Sequence, residues 1–157
     1  MSPNKTLRTR ALASPGSVVG RTRYNLYRRA YARIDDALAT GYYLEAVALI
    51  ESLLSDRLEH RLAVVMKKDF SFKTLGTLIQ QVKKFETDQS LRSTVTGPVD
   101  AWRDKRNKSL HEMVKIANDD EATWESRLTA IGETAREGLK VLRAVDRRCK
   151  QLRTKGS

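Results

Sequence analysis

Apolar residues recur at three- and four-residue steps along most of the chain, and no stretch shows the two-residue alternation of a half-buried strand, so the pattern predicts helices alone. Tyr24, Tyr27, Tyr31, Ile34 and Leu38 form one stripe of a first helix over about Arg21–Thr40, ended by Gly41. These tyrosines stand among Arg23, Arg28, Arg29 and Arg33 and resemble a base-stacking surface, but their helical spacing assigns them to the core. A second helix, about Tyr42–Met66, carries Val47, Ile50, Leu54, Leu58, Leu62 and Val65 on its apolar stripe. Glu45, Glu51, Asp56, Arg57, Glu59 and Arg61 lie off the stripe's centre, and His60 reads as a solvated surface histidine. Lys67-Lys68-Asp69 makes a turn. Leu75, Leu78, Ile79, Val82 and Phe85 then share a face of a third helix between Phe72 and Lys84, which Glu86 to Gln89 closes.

Leu91–Thr96 predicts a short helix interrupted at Gly97-Pro98, with Pro98 as the first residue of a helix running to Ala117. Asn118 with the acids Asp119, Asp120 and Glu121 predicts the cap of a final helix over about Asp119–Arg153. Its stripe is Trp124, Leu128, Ile131, Ala135, Leu139, Leu142, Cys149 and Leu152, and part of so long a helix is expected to project beyond the domain. Gly132 and Gly138 mark bends or close helix contacts. The whole predicts an all-α fold, an antiparallel helical bundle of four to five helices with a long C-terminal helix.

The chain has 157 residues, 40% of them hydrophobic, which suits one domain with a core of its own. Residues 1–20 are expected as a flexible basic leader and 21–157 as the bundle. Cys149 is the single cysteine, expected in packing; an intrachain disulfide and a cysteine-built zinc site are excluded, which suits a reducing cytoplasm. No apolar run approaches the ~20 residues that span a bilayer, so no membrane partner is expected.

A net charge of +11 points to a polyanionic partner. Residues 1–29 hold seven Lys/Arg and no acid, and residues 136–157 hold eight against two, so the ends carry +7 and +6 and the middle 11 − 13 = −2. Within that nearly neutral middle, Arg103, Lys105, Arg106 and Lys108 crowd together. They are read as a phosphate-binding cluster, with Arg103, Lys105 and Lys108 as RNA-binding residues.

The same segment holds Arg106-Asn107-Lys108-Ser109-Leu110-His111. An arginine fork holds a phosphate through paired hydrogen bonds, and an imidazole with a pKa near ~6.5 takes or gives a proton at neutral pH. Arg106 falls in the middle of the face formed by Val99, Trp102, Leu110, Met113 and Ala117, where a charge needs a partner to offset desolvation. A carboxylate at Glu45 or Glu51 is the structural alternative to a ligand. Arg106 and His111 are turned apart by ~140° on a straight helix. Either the guanidinium reaches round, or the helix is distorted, or a second subunit brings a facing copy; the last is favoured. Histidine and cysteine clusters with metal-ligand spacing, glycine-rich phosphate loops and serine triads are absent, so neither a metal nor another cofactor is expected.

With an arginine, four intervening residues and a histidine on a late helix, and a polar Asn107 directly after the arginine, the chain resembles the HEPN superfamily of small helical bundles over about Arg21–Leu152. The resemblance implies a metal-independent endoribonuclease of toxin–antitoxin or phage-defence type, with Arg106, Asn107 and His111 as its catalytic residues. It also implies a homodimer whose two motifs line one cleft, with an acidic antitoxin as a possible partner. Other members of the superfamily are noncatalytic, so an RNA-binding or antitoxin-binding module is the alternative. A basic architectural DNA-binding protein is a third reading.

Overall fold

The computed structural model describes residues 9–11, 16–68, 71–116 and 122–156. The chain forms α1 (Val18–Thr40), α2 (Tyr43–Met66), α3 (Leu75–Phe85), α4 (Gln89–Thr94), a π-helical turn (Val95–Val99), α5 (Asp100–His111) and α6 (Trp124–Lys155). The fold is an all-α bundle with a long C-terminal helix, as the periodicity predicts. Among the described residues no helix is long and apolar enough to cross a membrane.

The caps explain where the helices start and stop. The Ser17 hydroxyl accepts the Gly20 N–H at 3.0 Å, and Gly41, at φ 84°, takes the left-handed turn that ends α1. Thr74, Asp88 and Thr123 cap α3, α4 and α6 in the same way as Ser17 caps α1. α2 is the central element and packs on α1, α3 and α6. Its Val47, Ile50, Leu54, Leu58 and Leu62 are buried against Ile34 of α1, Leu78 and Ile79 of α3, and Ile131, Leu142 and Val145 of α6. Burying each such side chain stabilises the fold by roughly 1.5–3 kcal/mol. Cys149 is buried in this core, where desolvation pushes its thiol up to about 11.

Polar clamps fix the helices relative to one another. Arg61 of α2 donates two 2.7 Å bonds to Glu86, which also accepts the Asp88 N–H at 2.9 Å. Asp88 accepts bonds of 2.9 and 2.6 Å from Arg148 of α6 while capping α4 through Leu91. Burial opposes ionisation of Glu86, but the Arg61 bonds hold its carboxyl below the usual range; the Arg148 bonds hold Asp88 at about 2.

Several expectations are corrected. α1 begins at Val18 rather than Arg21 because Ser17 supplies its cap, and within the expected flexible leader Arg10 is buried against Asp56 of α2. Tyr24, assigned to the core, is 67% exposed, whereas Tyr27 and Tyr31 are partly buried. Because α2 is covered on several sides, Arg57 and Glu59 are buried although they sit off the stripe. Burial pushes Glu59 up to about 7, and its Oε2 has no hydrogen-bond partner among the described residues. His60 is half-buried rather than solvated; desolvation, reinforced by Arg10, Arg153, Arg23 and Arg57, lowers it to about 4. α3 starts at Leu75, leaving Phe72 exposed outside it. Gly97-Pro98 does not break the chain's helix: the backbone widens into a π-turn, which accommodates a proline that has no N–H to donate. α5 stops at His111 rather than Ala117, and α6 starts at Trp124 behind Thr123. Asp69, Ala117 and the expected cap at Asn118–Glu121 lie outside the described residues.

Candidate active site

The site is built on α5, whose register is fixed at Trp102. The buried indole N–H donates to the Thr134 carbonyl of α6 at 2.8 Å, and the ring lies flush on Gly138, where a Cβ would come within 2.6 Å of it. Only a glycine admits so close an approach. Gly132 makes the equivalent contact with the Tyr43 ring, so both glycines mark close helix contacts, one of the two roles expected of them.

Arg106 lies one turn beyond Trp102 and faces α2. Its Nη2 donates to Glu51 Oε1 at 2.6 Å, and the side chain is 16% exposed. Glu51 is thus the partner that an arginine on an apolar face requires, and Glu45 instead pairs with Arg33. Arg106 Nε is buried without a partner among the described residues, so the fork is anchored at one end and keeps donors unused.

His111 is the last residue of α5 and is exposed, with no hydrogen bond or ion pair among the described residues. Asn107 is half-buried between them in sequence, and its side chain is likewise unengaged. The helix remains regular from Asp100 to His111, so Arg106 turns toward α2 and His111 toward solvent, in keeping with the ~140° between them. A side chain that the sequence reading missed holds the exit from this helix: Arg127 of α6 donates to the Glu112 carbonyl and, at 2.8 Å, to the Lys115 carbonyl. Leu110, Val114, Ile116 and Trp124 are exposed around this end of α5.

The expected phosphate-binding cluster is largely self-neutralised. Arg103 pairs with Asp100 at 3.1 Å and Asp104 at 3.0 Å, Lys105 with Glu137 at 2.8 Å, and Arg106 with Glu51. Exposed Lys108 has no ion pair among the described residues. Three of the four cations are therefore paired, with four carboxylates between them, two of which come from other helices. Among the described residues no group of three or more His, Cys, Asp or Glu is placed to hold a metal ion. No family model matches the chain, and neither a curated protein nor a solved structure is significantly similar to it.

Proposed function

We propose that the protein is a metal-independent endoribonuclease whose site is completed by a second copy of the chain. The observation that carries this reading is the state of the motif among the described residues: Arg106 is pinned by Glu51 with donors to spare, while His111 stands exposed and unengaged at the end of the same helix. In the reaction, His111 takes the proton of a ribose 2′-hydroxyl, the 2′-oxygen bonds to the adjacent phosphorus, and the bond from phosphorus to the 5′-oxygen breaks. Arg106 stabilises charge on the crowded phosphate and Asn107 orients the phosphate or the imidazole. His111 hands that proton on to the departing 5′-oxygen, and the second copy supplies the Arg106, which its own helix turns away from its own His111. The exposed apolar side chains beside His111 give that copy a surface to pack on.

The test is total RNA incubated with the purified chain in EDTA, wild type beside His111→Ala. The reading expects cleavage with 2′,3′-cyclic phosphate ends from the wild type alone. Activity that needs added magnesium or manganese, or that survives in His111→Ala, refutes it.

The net charge of +11 supports a second reading, a noncatalytic RNA-binding or antitoxin-binding module of toxin–antitoxin or phage-defence type. Its signature is RNA or acidic-protein binding that is indifferent to His111→Ala.

A further inference from the structure

We infer that the groove between α1, the second half of α2 and the C-terminal half of α6 binds single-stranded nucleic acid, with Tyr24 stacking a base and Arg21 and Arg28 holding phosphates. The inference rests on the ribonuclease reading only for the identity of the strand as RNA; the groove itself is distinct from the motif. Arg57 stands six residues beyond Glu51 on α2, a displacement of ~9 Å along the helix and ~120° around it.

The groove has a volume of about 910 Å³, and its lining carries five arginines and a lysine against one carboxylate, Asp146. Asp146 is already engaged by Arg57 at 2.6 Å and Lys150 at 2.8 Å. Arg21 and Arg28 have no ion pair among the described residues and are exposed. The positive charge that the α5 cluster loses to its own carboxylates therefore persists here, where a polyanion gains most.

The aromatic component points to unpaired bases rather than to a generic anion. Tyr24, Tyr27 and Tyr31 follow one another at three- and four-residue steps along the groove wall. Their run covers ~10 Å of α1. Tyr24 offers an open ring face, and the Arg57 guanidinium already lies over the Tyr27 ring at 4.4 Å. The Tyr31 hydroxyl is buried with no partner among the described residues, a polar atom left for a ligand to satisfy. Aromatic rings interleaved with cations are how proteins hold single strands without reading their sequence.

His60 and His111 are the chain's two histidines, and one lines the groove while the other ends the motif helix. Each therefore reports on its own site. The experiment follows both imidazoles by NMR in the full chain on titration with a 2′-O-methyl uridine dodecamer, which 2′-hydroxyl attack cannot cleave, alongside anisotropy measurements. Burial and then the surrounding arginines depress His60, and phosphate in the groove offsets the arginines' part, so its pKa should rise on binding. Tyr24→Ala should weaken binding about fivefold or more. Arg28→Ala should reduce the slope of log K against log salt by about 0.7. Duplex made from the same strand should bind at least tenfold less tightly. Both substituted positions are exposed, and circular dichroism checks that the variants fold. A response confined to His111, unchanged affinity in both variants, or equal affinity for duplex overturns the inference. Groove binding as described without any RNA cleavage leaves the inference standing and removes the ribonuclease reading.

Discussion

Replacing Gly138 with alanine tests whether the motif helix is held by the Trp102 contact. The new methyl carbon would stand 2.6 Å from the indole, against the ~3.5–4.0 Å of an ordinary carbon contact, so the ring must retreat by ~1 Å. Overpacking of this kind costs about 1–3 kcal/mol. Retreat also breaks the 2.8 Å bond to Thr134, and orphaning buried polar groups costs about 1–3 kcal/mol more. Alanine returns about 1 kcal/mol of helix propensity. The net loss is then about 1–5 kcal/mol, and at ~2–4 °C per kcal/mol for a chain of this size the midpoint centres on a fall of about 10 °C. Urea and thermal denaturation followed by circular dichroism read the loss, and emission from Trp102, which is buried while Trp124 is exposed, reads the ring's displacement. Arg106 follows one turn later, so RNA cleavage should fall too, beyond what the unfolded fraction explains. Gly97→Ala is the control: a Cβ there meets nothing within 4 Å, and the change should be neutral or slightly stabilising. Gly132→Ala should cost less than Gly138→Ala, because Tyr43 is only partly buried, whereas Trp102 is enclosed. A Gly138→Ala protein as stable as the wild type, with unchanged Trp102 emission, would refute the reasoning.

Two further predictions concern pH. Glu59 has a folded-state pKa raised to about 7, so the stability tied to its protonated form is complete below the usual carboxylate range and lost as pH rises through about 7. Glu59→Gln should therefore stabilise by up to about 3 kcal/mol at pH 8 and by much less at pH 5, in denaturation curves at the two values; equal effects at both would contradict the burial argument. Asp88 and Glu86 have lowered values, so their contribution is present above the usual carboxylate range and lost as pH falls through about 4 toward about 2. Solvent screening at the partly exposed Asp88–Arg148 pair holds its share to about 1 kcal/mol, and Asp88→Asn should remove that part of the acid dependence. An acid transition identical in the variant would show that the pair does not contribute.

The helices were legible because their apolar positions keep the helical period, and on α2 Val47, Ile50, Leu54, Leu58 and Leu62 are buried as read, while Val65 stays outside the core. Boundaries were less so, since Ser17 and Thr123 cap through short local bonds that rival capping residues nearby in sequence mimic. The π-turn at Val95–Val99 was hidden because a Gly-Pro pair ordinarily ends a helix. At the motif, periodicity placed Arg106 inward and His111 apart from it, and Glu51 was one of two carboxylates foreseen for the arginine. The pairing of Lys105 with Glu137 and the grip of Arg127 on the carbonyls after His111 are tertiary contacts with no local signature. For the same reason a cluster that reads as basic in sequence is close to neutral in space. Tyr24 illustrates the converse: its spacing matches a core stripe, yet it is exposed on the wall of the groove.

The composite site is tested most directly by mixing two inactive chains. Arg106→Ala retains His111, and His111→Ala retains Arg106, so a mixed dimer rebuilds one complete site of two if each site draws its arginine and histidine from different copies. Statistical pairing of equal amounts makes half of the dimers mixed. The account predicts that neither variant alone cleaves RNA in EDTA and that the refolded mixture recovers about a quarter of the wild-type rate. A mixture as inactive as its components, beside an active wild type, would contradict it.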